Sequence, residues 1–355
     1  MKKDSTLTVG IDIGDRYSKI CVVDEEDGEI VVVEETKIRT NKTAVNRYFA
    51  LREPMVVAME VGTHSTWMSR LISKLGHEVI VANARKLQFI FANEHKNDDV
   101  DAEMLARVAR LDRKLLFPIE HRPEADSVAM AFVRSRDALI RTRTSLVTHV
   151  RGVIKSNGER LPTCAAARFH KLADLLPMAL RDALGPVMES IEALNERIRE
   201  LDQRIAQVAK ESYPETEILR QVHGVGPITA LTFILVIADP ERFSRNRKVG
   251  AYVGLAPKSD QSGESNPQLS ISKTGNPYLR RLLVQASHHI MGPFGYDSDL
   301  RRHGLKIAER GGKRAKKRAV VAVARKLSVL LIALLKTGEE YEPLRRANKS
   351  EQEAA

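Results

Sequence analysis

The stretch Leu7-Thr8-Val9-Gly10-Ile11-Asp12-Ile13 decides how the chain begins to fold. Its side chains alternate in character with the period of a half-buried strand. A short Gly/Asp turn leads into a second such run, Lys19-Ile20-Cys21-Val22-Val23, and the turn Glu25-Glu26-Asp27-Gly28 leads into a third, Glu29 to Ile38. A helix is predicted around Thr43 to Leu51, followed by the buried strand Met55-Val56-Val57-Ala58-Met59-Glu60. Thr63 to Leu75 is amphipathic and stops at Gly76, as a helix does when its C-terminus needs a left-handed residue. Glu78-Val79-Ile80-Val81-Ala82 makes a fifth strand.

Three strands joined by tight turns, then helix alternating with strand, is the order of an α/β ribonuclease-H-like sheet. An open α/β sheet of another type is the alternative. From Asp98 onward the pattern is helical. Asp126 to Ile154 reads as one long helix bearing Arg134, Arg136, Arg141, Arg143 and Arg151. Pro186 is expected to open another, in which Ile191, Leu194, Ile198, Leu201, Ile205 and Val208 are spaced 3-4-3-4-3, a coiled-coil seam that can pair within or between chains. After Pro214, Leu219 to Ala230 resembles a helix-hairpin-helix turn, with Gly224 and Gly226 permitting a tight reversal. A polar Gly/Ser/Pro-rich stretch, 257–277, precedes helices over Tyr278–Ile290 and Arg318–Leu335, and a polar tail follows Glu339.

The 355 residues predict two or three modules, and a hydrophobic content of 43% excludes a mostly disordered chain. Two cysteines, Cys21 and Cys164, exclude a disulfide scaffold and a four-thiolate zinc site. Neither a signal peptide nor a membrane span is expected, and a cytoplasmic protein fits. The net charge is +11 and unevenly spread: residues 1–120 hold 18 basic and 20 acidic side chains, whereas 121–355 hold 39 and 26. The second half is therefore expected to engage a polyanion.

Asp12 interrupts an apolar strand, where an ionised carboxylate is costly without a neutralising partner. Glu60 ends a second buried strand, and Asp98 and Asp101 share one helix face through i, i+3 spacing. In the expected sheet the first and fourth strands are neighbours, so the four acids gather into an oxygen-rich nest suited to Mg²⁺ or Mn²⁺. Two such ions about 3.5–4 Å apart are the usual device for cutting or joining phosphodiesters. Each acid alone is ordinary, since a lone Asp is often a turn or cap residue. Gly10-Ile11-Asp12-Ile13-Gly14 also has the look of a phosphate hairpin of ATP-dependent kinases, but no second Gly-rich loop follows.

The acids, with Lys96-Asn97-Asp98-x-x-Asp101-Ala102, resemble the N-terminal domain of insertion sequence 110 family transposases. The Gly-Val-Gly-Pro hairpin, Tyr252-Val253-Gly254-Leu255-Ala256-Pro257, Ser262-Gly263 and Ile271-Ser272-Lys273-x-Gly-Asn-x-x-Leu279-Arg280-Arg281 resemble its C-terminal domain in the same order. The resemblance implies a RuvC-like DEDD domain over 1–155, a helical coiled-coil linker over 156–213, a mostly helical transposase domain over 214–340 and a flexible tail over 341–355. It further implies catalytic, metal-holding carboxylates at Asp12, Glu60, Asp98 and Asp101, a nucleophilic serine at Ser262, and a covalent 5′-phosphoserine intermediate. The implied partners are double-stranded donor and target DNA, a structured bridge RNA that pairs with both, and further copies of the chain in a dimer or tetramer. Where the family shows Ser-Ser-Gly-Gly, this chain has Gln261-Ser262-Gly263-Glu264.

Candidate phosphate contacts are the run Arg301, Arg302, Lys306, Arg310, Lys313, Arg314, Lys316, Lys317 and Arg318, and also Lys273, Arg280 and Arg281. Arg134, Arg141 and Arg151 form a second candidate surface, assigned to RNA. An aromatic content of 5% gives no sign of a platform for stacking single strands. The competing readings are a metal-dependent junction-resolving endonuclease acting by hydrolysis and a non-enzymatic nucleic-acid scaffold.

Overall fold

The computed structural model describes residues 7–87, 98–258, 269–312 and 314–345. The chain divides into two compact units, Met1–His121 and Arg122–Ala355.

The first unit is built on five strands: β1 (Thr8–Ile13), β2 (Tyr17–Glu26), β3 (Glu29–Arg39), β4 (Val56–Glu60) and β5 (Glu78–Ala82). Their order is β3-β2-β1-β4-β5. The first three pair antiparallel, and β4 runs parallel to both β1 and β5. Helices α1 (Lys42–Phe49), α2 (Ser65–Lys74), α3 (Ala84–Leu87) and α4 (Asp98–Leu111) complete the unit. One sheet face, through Val9, Ile11, Val57 and Met59, packs on Val45 and Phe49 of α1 and Met68 and Ile72 of α2. The other face, through Val56, Ala58, Ile80 and Ala82, packs on Leu105, Val108 and Ala109 of α4. Coverage on both faces explains why β4 reads as an unbroken apolar run instead of alternating.

In the second unit α5 (Glu124–Ser156) and α6 (Arg181–Ser212) form an antiparallel pair. Arg143 Nη1 donates to Asn195 Oδ1 at 2.7 Å, and Val150 and Ile154 meet Leu184 and Met188 near the opposite end. The seam thus closes within the chain. Ile191, Ile198 and Ile205 are buried as the heptad pattern requires, but Asn195 and Ala209 share the seam while Leu194, Leu201 and Val208 are half-buried. The helix also starts at Arg181, with Pro186 inside it, because burial of Leu184 holds the extra turn against α5.

Beyond α6 come α7 (Thr216–Arg220), α8 (Pro227–Ile237), α9 (Lys248–Tyr252), α10 (Pro277–Met291), α11 (Asp299–Ala308) and α12 (Ala315–Thr337). One core joins Leu231, Phe233, Leu283 and Leu327 of these helices to Ala129, Met130 and Val133 of α5 and Ile205 and Ala209 of α6. The compact division therefore falls at 121/122, and α5 and α6 belong with the C-terminal helices. Among the described residues no helix is long and apolar enough to cross a membrane.

Candidate functional site

Parallel pairing of β1 with β4 runs in register to Ile11 opposite Met59. Asp12 and Glu60 are the next residues along these strands, so both emerge at the same sheet edge, and both are half-buried. Strand alternation puts Asp12 on the face of Gly10, and Glu60 on the face of Val56 and Ala58. Both faces belong to α4. Helix and strand touch backbone to backbone there: a Cβ at Gly10 would lie 2.0 Å from the Ala102 carbonyl oxygen and 2.6 Å from the Ala106 nitrogen. At its far end Arg110 of α4 meets Glu25 at 3.2 Å, next to the β2 residues that pair with the start of β1. The helix consequently runs antiparallel to β1, and its first turn, carrying Asp98 and Asp101, is delivered to the edge that holds Asp12 and Glu60. Asp101 is half-buried; the Asp98 side chain lies outside the described residues.

Lys19 of β2 stands opposite Asp12 across the strand pair, a cation on the acidic edge that sequence reasoning overlooked. The edge also gathers histidines from distant sequence. His64 Nδ1 accepts the indole N–H of Trp67 at 3.1 Å, and its Nε2 faces Asp15 at 3.5 Å. His121 binds Ser65 Oγ through Nε2 at 3.0 Å and Thr66 Oγ1 through Nδ1 at 3.3 Å. Burial, reinforced by Arg70, lowers the His121 pKa and so favours the neutral ring. His121 stands 56 and 55 positions from these partners in sequence, so no motif pointed to them.

Asp12, Glu60 and Asp101 offer only oxygen ligands, which suit a hard divalent cation. Among the described residues no three His, Cys, Asp or Glu side chains are grouped closely enough to hold a metal ion. The fourth expected ligand, Asp98, is not among those side chains.

In the second unit the expected nucleophile, Ser262, lies outside the described residues, but the chain on either side is firmly held. Lys258 N–H donates to Ser270 O at 2.9 Å, Ser272 N–H to Ala256 O at 2.9 Å and Lys273 N–H to Gly254 O at 3.1 Å. Only glycine fits at Gly254, where φ is +73° and a Cβ would meet Thr274 O at 2.2 Å. Asn276 caps α10, its Oδ1 accepting from the Tyr278 and Leu279 amides at 2.9 and 3.0 Å. The described residues on either side of 259–268 therefore adjoin one another at Lys258 and Ser270.

These points open onto a groove of about 1430 Å³ that α11 and α12 line. Its lining includes Pro257, Leu269, Ile271, Val321 and Val329 together with the basic Arg247, Arg310, Arg314, Lys317, Arg318 and Arg325. Residues 242–336 carry 20 Lys and Arg against 5 Asp and Glu, so the groove lies in the most basic part of the chain.

The candidate phosphate contacts divide sharply. Arg314, Lys316, Lys317 and Lys273 are exposed, and Lys313 lies outside the described residues. Arg134 is exposed on α5. Other guanidinium groups are engaged by their own chain: Arg151 with Leu161 O and Pro162 O, Arg280 with Val253 O and Thr274 O, and Arg301 with Ile290 O and Gly292 O. Arg141 and Arg281 share Asp137, and Arg302 pairs with Asp297 at 2.6 Å. The bonds to backbone carbonyls give Arg151, Arg280 and Arg301 structural roles. Arg247, in the basic stretch 242–248, and Arg325 line the groove and were not among the candidates named from sequence.

Two family models match in the order of the two modules. Residues 9–157 match a DEDD transposase model of IS110 type, and residues 216–301 match the model described as Transposase IS116/IS110/IS902 family. The chain belongs to the IS110/IS116/IS902 transposase family. The transposase for insertion sequence element IS1111A of Coxiella burnetii is 27% identical, over 94% of this chain and 90% of its own length. The transposase for insertion sequence element IS1328 of Yersinia enterocolitica is 27% identical, over 82% and 85%. A probable family 20 transposase of Pseudomonas aeruginosa is 26% identical, over 94% and 98%. This IS110-type transposase is thus an enzyme of DNA cleavage and rejoining. The acidic edge lies within the first matched region, and the flanks of segment 259–268 lie within the second.

Proposed function

We propose that this transposase joins donor and target DNA under the guidance of a bridge RNA, through a covalent 5′-phosphoserine at Ser262. The observation that carries the reading is the convergence on one edge of β1, β4 and the first turn of α4, the elements whose sequence carries Asp12, Glu60, Asp98 and Asp101. The strand order 3-2-1-4-5, with β2 antiparallel, supports a ribonuclease-H-like (RuvC-like) fold for the first unit. These four carboxylates would hold Mg²⁺ or Mn²⁺, whose charge offsets that developing on the scissile phosphate.

The Ser262 oxygen attacks phosphorus, the bond from phosphorus to the 3′-oxygen breaks, and the serine proton passes to a base while the leaving oxygen is protonated. Bond energy stored in the phosphoserine allows resealing without ATP. Basic residues around the α11–α12 groove hold phosphates near the flanks of the serine segment. Base pairing with the guide RNA, in a dimer or tetramer acting in a bacterial cytoplasm, selects the sites.

The test is a denaturing gel of DNA incubated with transposase, guide RNA and Mg²⁺. A protein–DNA adduct is expected, absent for Ser262→Ala and for Asp12→Asn. Adduct formation by the serine variant refutes the assignment, and free 5′-phosphate ends without adduct point instead to a hydrolytic junction nuclease.

A further inference from the structure

Among the described residues 214–345, Phe294 and Tyr296 are the most exposed large apolar side chains, at 88% and 73%. Both belong to the connection between α10 and α11, Gly292-Pro293-Phe294-Gly295-Tyr296-Asp297-Ser298. Scattered exposed apolar residues need no explanation, but these two stand on a connection tied down along its length. Arg301 Nη1 donates to Ile290 O at 2.8 Å and to Gly292 O at 2.6 Å. The Gly295 amide donates to Gly292 O at 3.1 Å, and a Cβ at Gly295 would lie 2.0 Å from Ile290 O. Asp297 holds Arg302 through two nitrogens, and Ser298 caps α11 by accepting from the Arg301 amide at 3.2 Å. The backbone is folded tightly beneath Gly295, and the rings on either side of it face water.

A third ring arrives from the helix-hairpin-helix turn. Gly224, at φ +84°, packs so closely on α10 that a Cβ would lie 2.8 Å from Ala286 O. That contact seats the hairpin beside α10, and His223 meets Tyr296 with ring centroids 4.6 Å apart. The exposed His288 and His289 of α10 adjoin the hairpin, His289 Cβ lying 3.3 Å from the position a Gly224 Cβ would take.

We infer that Phe294 and Tyr296, buttressed by His223, form a stacking platform for unpaired bases of a nucleic-acid strand. The basic composition of the stretch that carries the rings favours a polyanionic occupant: residues 242–336 hold 20 basic and 5 acidic side chains. Flat rings accept any base face, and a fixed backbone spares the ordering cost that a loose loop would add. The low overall aromatic content gave no hint of this, because two exposed rings on one short connection suffice. The inference rests on the nucleic-acid reading above and adds the substrate class: single strands, from a guide-RNA loop or from displaced DNA.

Fluorescence anisotropy on the full chain tests it, with labelled 12-nucleotide single strands of DNA and of RNA and a duplex of the same length. Phe294→Ala/Tyr296→Ala is expected to weaken single-strand binding by about tenfold or more, with duplex binding within about twofold. Tyr296→Phe is expected to bind like the wild type. Stronger loss in the RNA arm identifies a guide loop, and stronger loss in the DNA arm identifies a displaced strand. Unchanged single-strand affinity overturns the platform, as does equal loss on duplex. A changed oligomeric state with unchanged affinity also overturns it and marks a protein interface. Wild-type protein that binds the duplex but neither single strand defeats the platform alone, whereas failure to bind all three defeats the nucleic-acid reading.

Discussion

Replacing Gly10 with alanine tests whether close helix–strand contact positions the acidic edge. The added Cβ would meet the Ala102 carbonyl oxygen at 2.0 Å and the Ala106 nitrogen at 2.6 Å. A relaxed carbon–oxygen contact needs roughly 3.3 Å, so α4 must retreat by about 1.3 Å at Ala102. Both obstacles are backbone atoms that no rotamer change can move aside. The cost therefore belongs near the top of the overpacking range, about 3 kcal/mol. For a unit of this size that corresponds to a fall in melting temperature of about 10 °C. The retreat also carries Asp98 and Asp101 away from Asp12 and Glu60, and a misplacement of about 1 Å costs about 100-fold in rate. Trp67 is the chain's single tryptophan and lies in the first unit, so its fluorescence reads melting of that unit alone. DNA cleavage is measured in parallel. Gly62→Ala serves as the control, because its Cβ meets nothing within 4 Å. If Gly10→Ala melts within about 2 °C of wild type and cleaves DNA at an undiminished rate, the argument from helix placement fails.

Gly152→Ala lies inside α5, where a Cβ has open space, and is expected to stabilise the second unit by about 0.4–1 kcal/mol in chemical denaturation. His121 has a folded pKa below its ordinary 6.5, so between those two values the unfolded chain binds more protons. First-unit stability should therefore fall as pH drops through that window, and His121→Gln should flatten this part of a Trp67 melting profile. Replacing Arg314, Lys317 and Arg318 together with alanine is expected to lower the slope of log affinity against log salt for duplex DNA by about 2 to 3, measured by salt titration.

The sequence by itself determined the local elements of both units. Periodicity marked β1 and the long α5, and an unbroken apolar run marked β4, because the faces that a segment buries dictate a pattern that a single chain displays. It also singled out Asp12 and Glu60, since an acid inside an apolar run is costly wherever that run folds. The resemblance to a family, carried by short motifs, supplied Ser262, which neither charge nor periodicity distinguishes from its neighbours. Tertiary structure decided what depends on approach between distant segments. The α4–β1 contact at Gly10 sets which edge receives Asp98 and Asp101. Pairing of α5 with α6 within one chain admits Asn195 to a seam where heptad spacing called for leucine, because Arg143 satisfies its oxygen at 2.7 Å. Arginines that looked like phosphate ligands, such as Arg280 and Arg301, bind carbonyls of their own chain, and His223 meets Tyr296 only because its hairpin packs beside α10. In each case the energy comes from contacts between segments far apart in sequence, which no local pattern encodes.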